Sequence, residues 1–320
     1  MQKPSQVLIR QPGERSYDPA VPARPSAVEQ WEYAALSDLV YPSKDELQVQ
    51  EQKKQRRDEA VQRGVPDDPC VDFEPLLYAR GWRRWNNFPA DEPGNPAKTQ
   101  AEQVNLGVQV WQNDSVSPAV TVVVFRGTEF TSLWDWKSNL RWFIRFIPGY
   151  RDEYTVAVEN IGPQFVEQYG KNVAPGTGGR IVAATGHSLG AGLAQQLAYS
   201  RPPDPTVPDI TRIYAFDPSP VTGYFSVSKA LRDQNAQALV TARIFEKGEI
   251  LAYLRWLVAL VVPPSKEDPK ILSFRYNLFP DRGPIADHSI HELACRLYVV
   301  ATDDARVKDW KVLKRAEEGQ

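Results

Sequence analysis

Apolar and polar positions follow weak patterns over the first third of the chain and clear ones after it. Residues 11–27 are proline-rich and read as extended. Over 28–40, Trp31, Ala34, Ala35 and Leu39 recur at spacings that share one helical face. Residues 44–63 are dense in Gln, Glu, Lys and Arg and read as a solvated helix. Residues 66–96 are loop-rich and carry the aromatic and basic cluster Trp82-Arg83-Arg84-Trp85. From about residue 103 the pattern turns regular. Val104, Leu106, Val108 and Val110 alternate as a half-buried strand would. Asn113-Asp114-Ser115 can turn the chain, and 120–125 is a continuous strand rich in valine. Later strands are predicted at 181–185, 211–216, 238–245 and 270–278, with helical stretches between most of them.

Strands alternating with helices predict an α/β fold, with a mostly parallel central sheet and helices on both faces. Residues 1–100 read as an N-terminal helical and loop extension packed on that core, and 101–320 as the main domain. In such sheets reactive groups collect beyond the carboxyl ends of the strands.

Composition acts mainly by exclusion. A chain of 320 residues can bury a sizeable core, and its 42% hydrophobic content is ordinary. A net charge of −2 gives no overall field towards nucleic acid, so no nucleic-acid partner is expected. Two isolated cysteines, Cys70 and Cys295, define neither metal-ligand spacing nor a disulfide framework. A single bridge and two thiols in a reducing compartment both fit. Met1 to Gln6 lead into no apolar stretch of the signal-peptide kind. The longest apolar run, 250–262, is broken by Arg255 and is short of the ~20 residues a membrane span needs. The expectation is a protein cytoplasmic as synthesised, with export by a signal-independent route left open.

Gly186-His187-Ser188-Leu189-Gly190 is the stretch that carries chemistry. It fits the G-x-S-x-G nucleophile elbow, a serine on a sharp strand-to-helix turn. The pentapeptide alone is weak evidence. Its setting strengthens it, because 181–185 reads as a buried strand and 191–199 as a helix stopped near Pro202-Pro203. A serine hydroxyl needs a base to take its proton, and histidine is the usual one. The chain has three histidines. His187 neighbours the serine and should point away from it. His288, in a loop after Pro284, is preferred over His291, which falls inside the next helix. Two carboxylates follow strands where an orienting acid belongs, Asp217 and Glu249. The oxyanion donors would be the Leu189 amide and Thr128, in the glycine turn Phe125-Arg126-Gly127-Thr128.

These segments resemble the class 3, fungal-lipase-like lipases of the α/β-hydrolase superfamily. The resemblance is carried by Val124-Phe125-Arg126-Gly127-Thr128, Asp135-Trp136 with Asn139-Leu140, and the run from Thr185 to Ala194. It covers about residues 100–300 and makes 101–320 an α/β-hydrolase lipase domain. The family's oxyanion residue lies in its F-R-G-[ST] turn, about sixty residues before the nucleophile, as Thr128 does here. Its acid ends a Gly-Asp segment after a later strand. Arg243-Ile244-Phe245-Glu246-Lys247-Gly248-Glu249 aligns there, so the resemblance favours Glu249, a glutamate in an aspartate's place, over Asp217. The family's C-terminal histidine agrees with His288.

Related lipases carry a mobile lid after the oxyanion turn. Here 133–147 would align Lys137, Arg141 and Arg145 in a basic stripe beside an apolar face holding Trp136 and Leu140. Trp136, Trp142 and Phe146 are candidate lipid contacts, although a core-packed helix with snorkelling cations shows the same pattern. Residues 250–262, with Leu254, can line an acyl channel or form a buried helix. The resemblance implies a phospholipase A1- or lipase-type serine ester hydrolase needing no cofactor or metal. Its substrate would be a lipid ester at a membrane surface. A short-chain carboxylesterase, an acyltransferase with the same triad, and a silent hydrolase-fold binding module are the alternatives. Signal-less lipases of this kind also resemble antibacterial phospholipase effectors, which would bring an immunity protein and a secretion-machinery partner.

Overall fold

A nine-stranded sheet organises the chain. The computed structural model describes residues 5–41, 72–127, 156–174, 179–219, 222–223, 226–247, 269–278 and 289–302. The strands are β1 (Gln6–Arg10), β2 (Val21–Pro22), β3 (Trp82–Arg84), β6 (Val108–Asn113), β7 (Val120–Phe125), β8 (Ile181–His187), β9 (Ile210–Phe216), β10 (Val240–Glu246) and β11 (Lys270–Tyr276). A separate small hairpin pairs β4 (Asp91–Glu92) with β5 (Asn95–Pro96). The spatial order is β2-β1-β11-β10-β9-β8-β7-β6-β3. β7 to β11 form a parallel centre. β6 and β3 flank it on one side and β1 and β2 on the other, all antiparallel. The central strands are buried on both faces, which is why β7 reads as a near-continuous apolar run, interrupted at Thr121, instead of an alternation.

The helices are α1 (Arg24–Leu39), α2 (Phe73–Ala79), α3 (Ala97–Gln103), α4 (Gly162–Asn172), α5 (Leu189–Ser200), α6 (Lys229–Ala236) and α7 (Ile290–Thr302). A π-helical stretch, Ala157–Ile161, leads into α4. Strands β7 to β11 add in sequence in one direction. With right-handed crossovers, that order puts every connecting helix on one face. Phe165 of α4 and Leu193 and Leu197 of α5 accordingly share a core with Val123, Phe125, Val182, Ala184, Ile213 and Ala215. The opposite face must be covered from outside the crossovers. Trp31 and Leu36 of α1, with Leu293 and Leu297 of α7, pack there on Val122, Val124, Ala183 and Phe216. Alternate residues of each strand thus serve the two cores. Burying each of those large side chains contributes about 1.5–3 kcal/mol, which makes the α1–α7 pair a main source of stability on that face. Trp31 and Tyr298 meet edge to face there, centroids 5.1 Å apart.

Several sequence expectations shift. The stretch expected to stay extended to residue 27 turns helical at Arg24, because Pro25 falls in the first turn, where a missing N–H costs nothing. The alternation starting at Val104 is not all strand. Val104 caps α3, Leu106 N–H bonds back to the Ala101 carbonyl, and pairing begins only at Val108. The cluster at 82–85 is an edge strand with its tryptophans buried. The indole N–H of Trp82 donates to Glu32 (2.9 Å), and that of Trp85 to Gln112 (2.7 Å). Strands β1, β2 and β3, all before residue 100, belong to the main sheet. The solvated helix read at 44–63 lies outside the described residues. Cys295, on α7, is disulfide-bonded; Cys70 lies outside the described residues. Among the described residues no helix is long and apolar enough to cross a membrane.

Candidate active site

Strand β8 ends at His187 and α5 begins at Leu189, so Ser188 alone makes the turn. Its backbone has φ 55° and ψ −119°, in the region that favours glycine. Such strain persists only where surroundings over-determine it. Here the Ser188 N–H donates to the Phe216 carbonyl (2.9 Å) and the Ser188 carbonyl accepts from Ser219 N–H (3.0 Å). The two glycines of the pentapeptide are required by close backbone approach. A Cβ on Gly186 would lie 2.5 Å from the Gly190 carbonyl carbon, and one on Gly190 would lie 2.3 Å from Phe125 O. Leu189 opens α5, so its N–H is one of the amides without an intrahelical partner, at the positive end of the helix dipole.

The turn after β7 is fixed just as closely. Arg126 N–H donates to the Gly107 carbonyl (2.8 Å), and the Arg126 guanidinium donates to the Asn105 carbonyl (2.8 Å) and side chain (2.6 Å). Gly127 sits against the elbow, where a Cβ would lie 2.4 Å from His187 O and 3.2 Å from Ser188 Cβ.

Asp217 follows β9 directly and is wholly buried, with φ 40°. Its N–H extends the sheet ladder to Ile244 O at 2.8 Å. Its Oδ2 is 3.8 Å from His187 Nε2, an ion-pair distance too long for a hydrogen bond. The other nitrogen of His187, Nδ1, is 3.0 Å from the Tyr41 hydroxyl. That hydroxyl also accepts the Gly127 N–H (3.1 Å).

Helix α1 docks on β8 through two polar rungs. Ser37 Oγ and Thr185 Oγ1 are 3.0 Å apart, and Tyr41 meets His187 four residues further on. Four residues past a helix point advance about 6 Å, and two residues of strand about 6.6 Å, so the rungs keep step. Thr185 Oγ1 also donates to the Tyr214 carbonyl (2.8 Å). Tyr214 stacks on Tyr33 of α1, ring centroids 3.8 Å apart. Burial pushes the Tyr33 hydroxyl up to about 12 and raises that of Tyr214 as well.

The structure thus brings Ser188, Leu189, Asp217 and His187 together. Thr128, Glu249, His288, Trp136, Trp142, Phe146 and Leu254 lie outside the described residues, as do the lid segment 133–147 and the run 250–262. His291 is tied to α1, its Nδ1 2.8 Å from Asp38 Oδ2, and its Nε2 is 3.7 Å from Cys295 Sγ. Tyr41 is the residue that sequence reasoning passed over. It stands one position past the helical pattern, and nothing local to it signals a contact 146 residues away. Among the described residues no three His, Cys, Asp or Glu side chains group as a metal site.

Fungal lipases are among the solved structures this chain resembles. The Rhizomucor miehei lipase propeptide complex aligns with TM-score 0.41 and 16% identity over 77% of this chain and 65% of that one. This chain therefore spans just under two thirds of that structure's length. Lipase II from Rhizopus niveus aligns with TM-score 0.38 and 15% identity over 78% and 77% of the two chains. Lip2 lipase from Yarrowia lipolytica gives 0.38 and 14% over 73% and 75%. Likeness at this level settles neither activity nor site residues. No protein-family model matches the chain, and no curated protein does.

Proposed function

We propose that the chain is a serine ester hydrolase of the α/β-hydrolase fold, acting on lipid esters. The observation that carries this reading is the backbone of Ser188, held at φ 55° between the end of a parallel strand and the start of a helix. A serine held on such a backbone at a strand-to-helix turn is what a nucleophile elbow requires.

In this reading the Ser188 hydroxyl attacks the ester carbonyl and His288 accepts its proton. The C–O bond then breaks, and His288 protonates the leaving alcohol. The Leu189 amide and Thr128 hold the oxyanion, a role in which losing one donor costs about 10²–10³ in rate. Water releases the acid from Ser188 by the reverse proton path. Glu249 orients His288 by its motif position. Asp217 is the second candidate for that task, favoured by its complete burial beside the elbow. Phospholipid is the proposed substrate class, with Trp136, Trp142 and Phe146 meeting the lipid surface and Leu254 beside the acyl chain. The disulfide at Cys295 supports a working site in an oxidising compartment, and hence export. An immunity protein and a secretion-machinery partner would follow from export as an effector.

Labelling with a fluorophosphonate tests the core of this. Ser188 should be labelled in the native chain and the signal lost in Ser188→Ala. Native chain that resists labelling would favour a binding module. Product analysis on defined phospholipids and triglycerides then separates phospholipase, lipase, short-chain esterase and acyltransferase. Rates in Glu249→Gln and Asp217→Asn identify the acid.

A further inference from the structure

We infer that Tyr41 is a positioning residue of the ester-cleaving site, acting on the oxyanion turn and on His187 through a single hydroxyl. The inference rests on the hydrolase reading and adds a residue to it.

The Tyr41 oxygen accepts the Gly127 N–H at 3.1 Å and lies 3.0 Å from His187 Nδ1. His187 Nε2 faces the buried Asp217 carboxylate at 3.8 Å. A neutral His187 so placed would carry its proton on Nε2, the nitrogen that faces the negative charge. That leaves Nδ1 as acceptor, so the Tyr41 hydroxyl donates to it while accepting from Gly127. The chain of donors runs one way, from Gly127 N–H through Tyr41 to His187 Nδ1. Bonds aligned in this way polarise one another.

Two consequences follow for the site. The Arg126–Gly127 peptide, at the end of the described turn after β7, is held through the Gly127 N–H. Space adds to this, because a Cβ on Gly127 would lie 2.8 Å from the Tyr41 oxygen and 2.4 Å from His187 O. Only glycine fits at this position between Tyr41 and the elbow. His187, which neighbours Ser188, is locked in one tautomer and one orientation and kept away from the proton the serine must give up. Tyr41 lies two residues past the end of α1, a helix keyed to β8 by the contact of Ser37, four residues before Tyr41, with Thr185.

Tyr41→Phe removes the hydroxyl and keeps the ring. With a soluble p-nitrophenyl ester, kcat should fall about ten- to hundredfold with KM nearly unchanged, since misplacing a catalytic group by an ångström costs on that order. The unfolding temperature should stay close to that of the native chain. Nitrogen-15 spectra of the three histidine rings, assigned with His187→Gln, should show His187 protonated at Nε2 in the native chain and a displaced Nδ1 signal in Tyr41→Phe. Unchanged kcat with unchanged ring signals overturns the inference. So does a loss seen only as a rise in KM with a lower unfolding temperature. Ser188 labelled equally fast in both proteins overturns the role of Tyr41 alone. Ser188 unlabelled in both overturns the hydrolase reading and this role with it, even where the ring signals shift.

Discussion

Phe125 and Gly190 are packed backbone to backbone, the Phe125 carbonyl oxygen lying 2.3 Å from where a Cβ on Gly190 would stand. Neither partner is a flexible side chain, so neither can swing aside. Gly190→Ala must separate β7 from the start of α5. The expected loss is at least about 2 kcal/mol, seen as an unfolding temperature several degrees lower, with slower labelling of Ser188. An alanine variant that melts and labels like the native chain would contradict this packing.

Ser188 is strained for any residue with a Cβ. Ser188→Gly and Ser188→Ala both lose the hydroxyl and should both be inert to a fluorophosphonate. They should differ in stability, with the glycine variant more stable by about 1 kcal/mol because it relieves the left-handed backbone. Urea unfolding of the pair reads the difference. Equal midpoints would mean that the turn relaxes once the hydroxyl is gone.

Gly170 offers the opposite case. It lies inside α4 with nothing within 4 Å of a built Cβ and no left-handed backbone. Gly170→Ala should stabilise by about 0.5–1 kcal/mol by limiting the unfolded chain, without touching activity. Thermal unfolding beside the native protein checks it, and a fall in stability would refute it.

Alkaline stability should be governed by tyrosines on the α1 face. Burial raises the Tyr33 hydroxyl from 10.0 to about 12, and raises Tyr214 and Tyr276. The unfolded chain therefore releases these protons first. The Tyr33 stabilisation is fully present below pH 10.0 and is lost as pH climbs through about 12, and that of Tyr214 and Tyr276 goes on being lost at still higher pH. Tyrosinate absorbance and circular dichroism followed together should show these groups ionising with unfolding. Ionisation of all tyrosines well before loss of helix would show that burial does not protect them.

The parallel centre was readable because strands buried on two faces are mostly apolar, as 120–125 and 181–185 are apart from Thr121 and Thr185. The elbow was readable because its two glycines and serine fall within five residues. What could not be read depends on distant partners. Asp217 and His187 are each ordinary in their local setting, and their approach is set by the pairing of β8 with β9. Tyr41 carries no periodic signal, since its position is dictated by where α1 ends over β8. The short strand Gln6–Arg10 was missed because its fellows, β2 and β11, lie sixteen and hundreds of residues away in pattern terms that no local window spans. Proline at 25 misled by composition, where its place in a first turn mattered more.

The α1–α7 pair also sets a timetable. Residues 24–39 leave the ribosome early and 290–302 only after nearly the whole sheet has been made. Until then one side of the growing sheet is covered only by α1, which lacks its main partner, so Tyr41 cannot be seated for good on His187. Contacts this distant in sequence are slow to form and leave apolar surface open to aggregation meanwhile. Nascent chains stalled before Ile290 should therefore be cut readily by protease within α1, and full-length chains should not. Catalytic competence would then be the last thing the protein acquires, and a chaperone that shields this face of the sheet would govern its yield.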